Sequence, residues 1–344
     1  MRRFAAGILI FGMILSLTAC KETSAEKQVF AMDTVMMLTA YGDQGEAALK
    51  EAEIELYRLE ALLSKTDESS TVSRLNDAAG VEVAAEDEVL ELLNLAKKYS
   101  EATEGAFDIT IAPVVSAWGF TEDAYRVPDA AELEKLLKSV SSDNITMNGN
   151  AVALTPGTEI DLGGIAKGYA SDRMAEIFRE HGITRGTAVL GGNALAVGTR
   201  EDGEPWRVGV KDPKNAEGVV GLVHLTDAYA VTSGGYERYF EENGKIYHHI
   251  IDPANGYPAE SGLVSVTVIA DCKEAGTRNG TMCDALSTAL FVMGEEQALE
   301  FWRTSELDFD LVLLTEDDRV VMTGGIADRF TESEGSGYIY ETVS

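Results

Sequence analysis

From Ala151 to Met322 the chain breaks short β-favouring runs again and again with glycine, and this rhythm constrains the fold more than any other feature of the sequence. Trp206–Val210, Gly221–Leu225, Tyr229–Thr232, Leu263–Ala270 and Phe309–Leu314 are strand-length, apolar and bounded by turn residues. Thr187–Gly198 reads as one longer strand, and Arg319–Met322 as the hairpin partner of Phe309–Leu314. Helical spacing interrupts them. Ala48, Ala52, Leu56, Leu59 and Leu63 mark a helix over Gly45–Leu63, and Val89, Leu92, Leu93 and Ala96 a second over Glu86–Ser100. Further helices are predicted at Pro128–Ser139, Ile165–His181 and Thr281–Met293. Val29–Tyr41 reads as a strand with a tight feature at Met32-Asp33-Thr34. Strands mixed with helices in this order predict an α+β, mixed αβ fold. The chain has only seven prolines and no linker-like stretch, so one catalytic unit of two lobes around a cleft is expected.

The first residues belong to targeting. Met1-Arg2-Arg3 is a basic start, Phe4–Leu17 is apolar, and Leu17-Thr18-Ala19-Cys20 has the form of a bacterial lipobox. The apolar run is short for a membrane-spanning helix. Residues 1–19 are therefore expected to be a lipoprotein signal peptide, Cys20 the lipidated first residue, 20–28 a polar tether and 29–335 the catalytic domain. The expected location is the extracytoplasmic face of the cell membrane, held by lipid.

The formal charge is −30, and the signal segment carries Arg2 and Arg3 but no acid. Such a chain repels nucleic acid. An anionic ligand would need a local positive device: a lysine, a metal or a helix N-terminus. Three cysteines occur; with Cys20 spent on lipid, Cys272 and Cys283 remain, either paired outside the cytoplasm or left as thiols. No Cys/His spacing suggests zinc.

Four clusters carry candidate chemistry. Asp161-Leu162-Gly163-Gly164-Ile165-Ala166-Lys167-Gly168 puts paired glycines and a lysine at the start of a helix, which suits a diphosphate. Read alone, it is equally a glycine turn opening a helix. Asp284 and Thr288 lie one helical turn apart on one face and offer hard oxygen ligands for Mg²⁺; alone they also read as a cap and a core threonine. His248-His249 and Asp252, at a strand end before an Asn255-Gly256 turn, can serve acid/base chemistry or simply face water. His181 and His224 are expected to be structural. Gly105-Ala106-Phe107-Asp108, with Trp118-Gly119-Phe120, can hold a flat ring or pack a core.

Taken in order, these pieces resemble the FAD:protein FMN transferase family, the ApbE-like flavin transferases. The matching stretches are Met32-Asp33-Thr34; Leu63-Ser64 to Ser73-Arg74-Leu75-Asn76; Gly105 to Asp108 with Pro113, Trp118 and Gly119; Asp161 to Gly168 with Asp172; Gly191-Gly192-Asn193; Thr232-Ser233-Gly234 with Tyr236; His249 to Pro253 with Gly256; and Asp284 to Ala289. The resemblance implies a cleft for FAD and Mg²⁺. It implies a metal held by Asp284, Thr288 and the main-chain carbonyl of Ala166. It implies FAD contacts from Met32, from the loop of Thr66 and Ser70, from Ala106, Phe107 and Asp108, from Asp161, Gly163, Gly164 and Lys167, and from Ser233, His249 and Ile250. His249 and Asp284 would be catalytic, with His249 the base. The implied reaction splits FAD, releases AMP and attaches FMN through a phosphoester to a threonine or serine of an acceptor protein. The acceptors implied are subunits of membrane redox complexes and extracytoplasmic flavoproteins, and no nucleic acid is involved.

This chain departs from the resemblance in the loop after Ser64. Many members carry an aromatic residue that stacks on a ring of FAD; here the matching position is Thr66, in a wholly polar stretch from Lys65 to Ser70. Weaker stacking and more room for water keep a second reading open, a Mg²⁺-dependent FAD diphosphatase giving FMN and AMP. A third is a lipoprotein that binds flavin without catalysis. Gly235 is a milder departure, where an acidic or amide residue is often found.

Overall fold

The computed structural model describes residues 23–121, 124–215 and 217–344. The signal segment and Cys20 lie outside them. A nine-stranded sheet carries the fold, and its strands follow one another across it in chain order: Ser24–Ala31, Thr34–Tyr41, Gly186–Leu190, Asn193–Val197, Ala228–Gly234, Leu263–Asp271, Asp310–Thr315, Arg319–Thr323 and Ile339–Val343. Neighbours are antiparallel except the last pair, which runs parallel from Arg319↔Ile339 to Thr323↔Val343. Everything else is an insertion between sheet neighbours. The architecture is the mixed αβ one expected.

Three helices, Gly45–Leu63, Ala166–Glu180 and Asn279–Thr304, share one core with one face of the sheet. Strand alternation divides the apolar residues between the two faces. Val266 and Val268 join Leu56, Met174 and Leu286 in that core, while Ile269 joins the core on the opposite face. There the sheet is covered by a smaller one of Trp206–Lys211, Val219–Leu225 and Phe330–Glu332. A third cluster, Val114, Trp118, Phe120, Leu133 and Ile251, anchors the segments that bring His249 to the site. The Asn279–Thr304 helix is broken at Gly294, whose backbone is left-handed (φ 79°), so its first segment ends at Met293 as the spacing predicted.

Two of the predicted strands are in fact hairpins. Val29–Tyr41 folds back at Met32 and Asp33, both at positive φ (50° and 57°), and pairs Ala31 with Thr34. Thr187–Gly198 folds back at Gly191-Gly192, pairing Leu190 with Asn193. A Cβ on Gly192 would meet the Thr232 carbonyl at 2.7 Å, which is why a side chain is absent there. The first strand begins at Ser24, inside the stretch read as tether, because Ser24–Gln28 pair with Met37–Tyr41. At the other end Ile339–Val343, beyond residue 335, completes the sheet. Cys272 and Cys283 are both buried and unpaired, and burial pushes the Cys272 thiol up to about 12. Among the described residues no helix is long and apolar enough to cross a membrane.

Candidate active site

The Ala166–Glu180 and Asn279–Thr304 helices pack closely because glycines face each other at their crossing. A Cβ on Gly168 would lie 2.3 Å from the Gly280 carbonyl oxygen and 2.6 Å from the Asp284 Cβ. That closeness lets the Gly168 N–H donate to Asp284 Oδ2 at 2.8 Å. The glycine-turn motif and the Asp284–Thr288 motif, far apart in sequence, thereby become one site. Asp284 is 4% exposed, and one of its oxygens is fixed by that bond.

Asp172, one turn along the same helix, ties the pair from the other side. Its carboxylate accepts from the N–H groups of Gly280 (2.8 Å) and Thr281 (2.9 Å) and from the Thr281 hydroxyl (2.6 Å). It thus caps a helix from outside that helix. Burial pushes its carboxyl up to about 6 despite these donors.

Around Thr288 the hydroxyls cluster. Ser233 Oγ lies 2.8 Å from Ser287 Oγ and 3.2 Å from Thr288 Oγ1. Gly164 sits against both Thr288 and the Phe107 ring; a Cβ there would be 3.2 Å from Phe107 and 3.7 Å from Thr288 Oγ1. The Asp284 carboxylate and the Thr288 hydroxyl, one turn apart on the same helix, are hard oxygens of the kind that could hold Mg²⁺ rather than zinc.

The glycine turn carries its charge in a connected network. Lys167 Nζ donates back to the Gly163 carbonyl at 2.9 Å, and the Gly163 N–H donates to Asp161 Oδ1 at 2.8 Å. Asp161 also pairs with Lys65 at 2.9 Å, and Lys65 donates to Thr121 Oγ1 at 2.8 Å. Burial works to raise the Asp161 carboxyl, but Lys65, the Gly163 N–H and Lys167 outweigh it and hold it below its ordinary value. Lys65 was not singled out from the sequence. A lysine in a polar loop looks like any surface lysine until the fold sets it against a half-buried acid.

Other predicted residues have structural duties. Ser70 caps the Thr71–Asp77 helix through the Ser73 N–H (2.9 Å) and closes its loop on the Ser64 carbonyl. Asp108 accepts from the Thr110 N–H (2.8 Å), the Thr110 hydroxyl (2.6 Å) and the Ser142 N–H (2.9 Å), so its carboxylate is committed to the protein. Phe107 is buried and Ala106 packs at the edge of the same core. Met32 stands at its hairpin turn, where its N–H donates to Glu60 Oε1 at 2.8 Å. Thr66 is exposed, its hydroxyl 3.1 Å from Ser64 Oγ. Ile250 is core.

His249 is set by its neighbours. Its Nδ1 lies 3.1 Å from the Arg238 carbonyl, which can only accept, so the proton sits on Nδ1 and Nε2 keeps its lone pair. Burial, then the Arg238 charge, with a smaller push from Lys167, bring its pKa down to about 4. The ring is neutral at pH 7 and able to accept a proton. His248 instead faces the other way, 5.4 Å edge-on from Phe291. His181 bonds Glu51 (2.7 Å) and His224 bonds Thr331 (2.8 Å), both structural as expected.

A family model described as the ApbE family matches residues 32–338. An FAD:protein FMN transferase of Haemophilus influenzae is 32% identical over 97% of this chain and 100% of its own length. One of Treponema pallidum is 32% identical, covering 82% of this chain and 81% of its own. Among solved structures, an ApbE protein of Thermotoga maritima superposes with a TM-score of 0.78 at 34% identity, covering 91% of this chain and 97% of its own.

Proposed function

The chain belongs to the ApbE family, and from that premise we propose how its site carries out the reaction that its relatives are named for. It is an FAD:protein FMN transferase: FAD is the substrate and an acceptor protein receives the FMN. The observation that carries the reading is the Gly168–Asp284 bond, which sets a helix N-terminus and Lys167 beside a carboxylate–hydroxyl pair. A diphosphate needs positive charge on both phosphates, and the chain as a whole carries a formal charge of −30.

Asp284, Thr288 and the Ala166 carbonyl would hold Mg²⁺. Bound there, the ion would neutralise phosphate oxygens. Lys167 and the positive end of the helix dipole would orient the diphosphate. His249 Nε2 takes the proton from the acceptor's threonine or serine hydroxyl. That oxygen forms a bond to the FMN-side phosphorus, the bridging P–O bond breaks, and AMP leaves with the electron pair. FMN ends as a phosphoester on the acceptor. Cys20 would carry the lipid that keeps this chemistry on the extracytoplasmic face of the membrane, where redox flavoproteins serve as acceptors.

The exposed Thr66 favours one competing reading. Without a ring over the site, water reaches the diphosphate more readily, and hydrolysis to FMN and AMP competes. Incubation of the purified protein with FAD, Mg²⁺ and a peptide bearing an acceptor threonine separates the two. A peptide mass gain of one FMN, abolished by EDTA, supports transfer. Free FMN and AMP with an unmodified peptide would replace transfer with hydrolysis.

A further inference from the structure

A cavity of about 970 Å³ lies beside the site without including any residue assigned to FAD or metal. Tyr236, Tyr239, Tyr257, His248, Leu263 and Phe291 are among its walls. We propose that it receives an apolar side chain of the acceptor protein, close to the hydroxyl residue that takes FMN. The proposal rests on the transferase reading and specifies where the second substrate docks.

Three chain segments lead directly from the chemistry into this cavity. On the broken helix, Phe291 and Val292 lie one turn past Thr288, so the face that offers the hydroxyl continues as the cavity wall. Ser233, 3.2 Å from Thr288 Oγ1, is followed by the wall residues Gly235 and Tyr236. His248 is in the wall, and His249 is next in sequence. Each of these walls is continuous in the chain with a residue assigned to the phosphate chemistry. Gly235 gives the space: a Cβ would meet the His248 ring at 3.1 Å.

The ribbon of Tyr239–Glu242 and Lys245–His248 has one face half-buried, and on the other His248 packs against Phe291 while its neighbours are exposed. Phe240 and Tyr247 stack at 5.3 Å and pack on Trp118. The register Tyr239↔His248 and Glu241↔Ile246 puts Tyr239 and Ile246 on the other face, beside the cavity, 52% and 59% exposed. Exposed aromatic and aliphatic side chains around a concave site are the composition of a protein-docking patch. The charge of the walls narrows the occupant. Asp252, Glu260 and Glu316 are acidic, and the one lysine, Lys245, is paired to Glu260 at 2.6 Å. An acidic segment is repelled, and a neutral or basic apolar one is accepted.

The test uses Ile246→Glu and Tyr239→Ala, with Ile54→Ser as an equally exposed control outside the cavity. The probe is a flavin-free redox-complex subunit carrying the acceptor threonine. The KM for this acceptor should rise about tenfold in both cavity variants and stay put in the control, while kcat and FAD affinity change by less than about twofold. An unchanged acceptor KM in Ile246→Glu overturns the proposal, as does an equal rise in Ile54→Ser. A dimer that dissociates in Ile246→Glu with acceptor KM unchanged assigns the surface to self-association and also overturns it. If the wild-type protein releases FMN and AMP but never modifies the subunit, the transferase reading itself falls and takes this inference with it.

Discussion

The Gly168 N–H donates to Asp284 Oδ2 across 2.8 Å, and 116 residues separate the two partners. The bond exists only because neither Gly168 nor Gly280 has a side chain between the helices. Any Cβ at 168 must push away the Gly280 carbonyl and the Asp284 Cβ. Gly168→Ala is therefore expected to lower stability by about 2–3 kcal/mol and to reduce transfer far more than a same-sized loss of stability explains. Thermal unfolding and FAD turnover at a temperature where both proteins are folded check this. Wild-type turnover in Gly168→Ala would show that the close approach is not needed to place Asp284.

Lys65 bridges Asp161 and Thr121, and so ties the polar loop to the glycine turn. Lys65→Met should weaken FAD and ADP binding by about tenfold, on the order of a single charged hydrogen bond. Riboflavin, which has no phosphate, should be unaffected. The same variant removes the charge that holds the Asp161 carboxyl low, so that carboxyl should titrate at higher pH by NMR. Equal losses for all three ligands would mean that Lys65 only holds the loop.

Much of this was readable from residue order, and the exceptions have physical causes. The helix Gly45–Leu63 matches its apolar spacing to the residue. The Gly191-Gly192 turn carried its own signal, two glycines inside a strand-like run, yet the continuous apolar pattern on both sides hid it. At Met32-Asp33-Thr34 a tight feature was read but not a full reversal of the strand: methionine does not favour positive φ, and the turn is held by Glu60 on another element. The site motifs were each visible, but their union depends on a long-range glycine contact, and sequence spacing does not encode that. Lys65 and Arg238 were missed for the same reason, since their partners are set only by the fold.

Asp172 stabilises the helix of Asp284 from outside it. Asp172→Ala leaves the Gly280 and Thr281 N–H groups without their acceptor and should cost about 1–3 kcal/mol. The cost has a pH signature. The folded carboxyl titrates at about 6, above its ordinary 3.8. The folded state thus holds a proton that the unfolded chain has released, and its stabilising contribution is full below 3.8 and falls as pH rises through about 6. Denaturation of wild type and Asp172→Ala should show the largest difference near pH 4 and a smaller one at pH 7. A difference that grows with pH would contradict the assignment.

The last prediction concerns His249. With Nδ1–H held by the Arg238 carbonyl and its pKa drawn down to about 4, Nε2 is free to act as base across the neutral range. For a base, activity appears as the proton leaves. The acid limb of kcat/KM for transfer should therefore fall near pH 4, not near the ordinary histidine value of 6.5. The Arg238 charge is one cause of that shift, so Arg238→Gln should move the limb upward. His249→Ala should lower kcat by about 10²–10⁴ while leaving FAD affinity close to wild type. A limb at 6.5 in the wild-type protein would place the titrating base elsewhere, and a limb that stays at 4 in His249→Ala would remove His249 from the proton transfer.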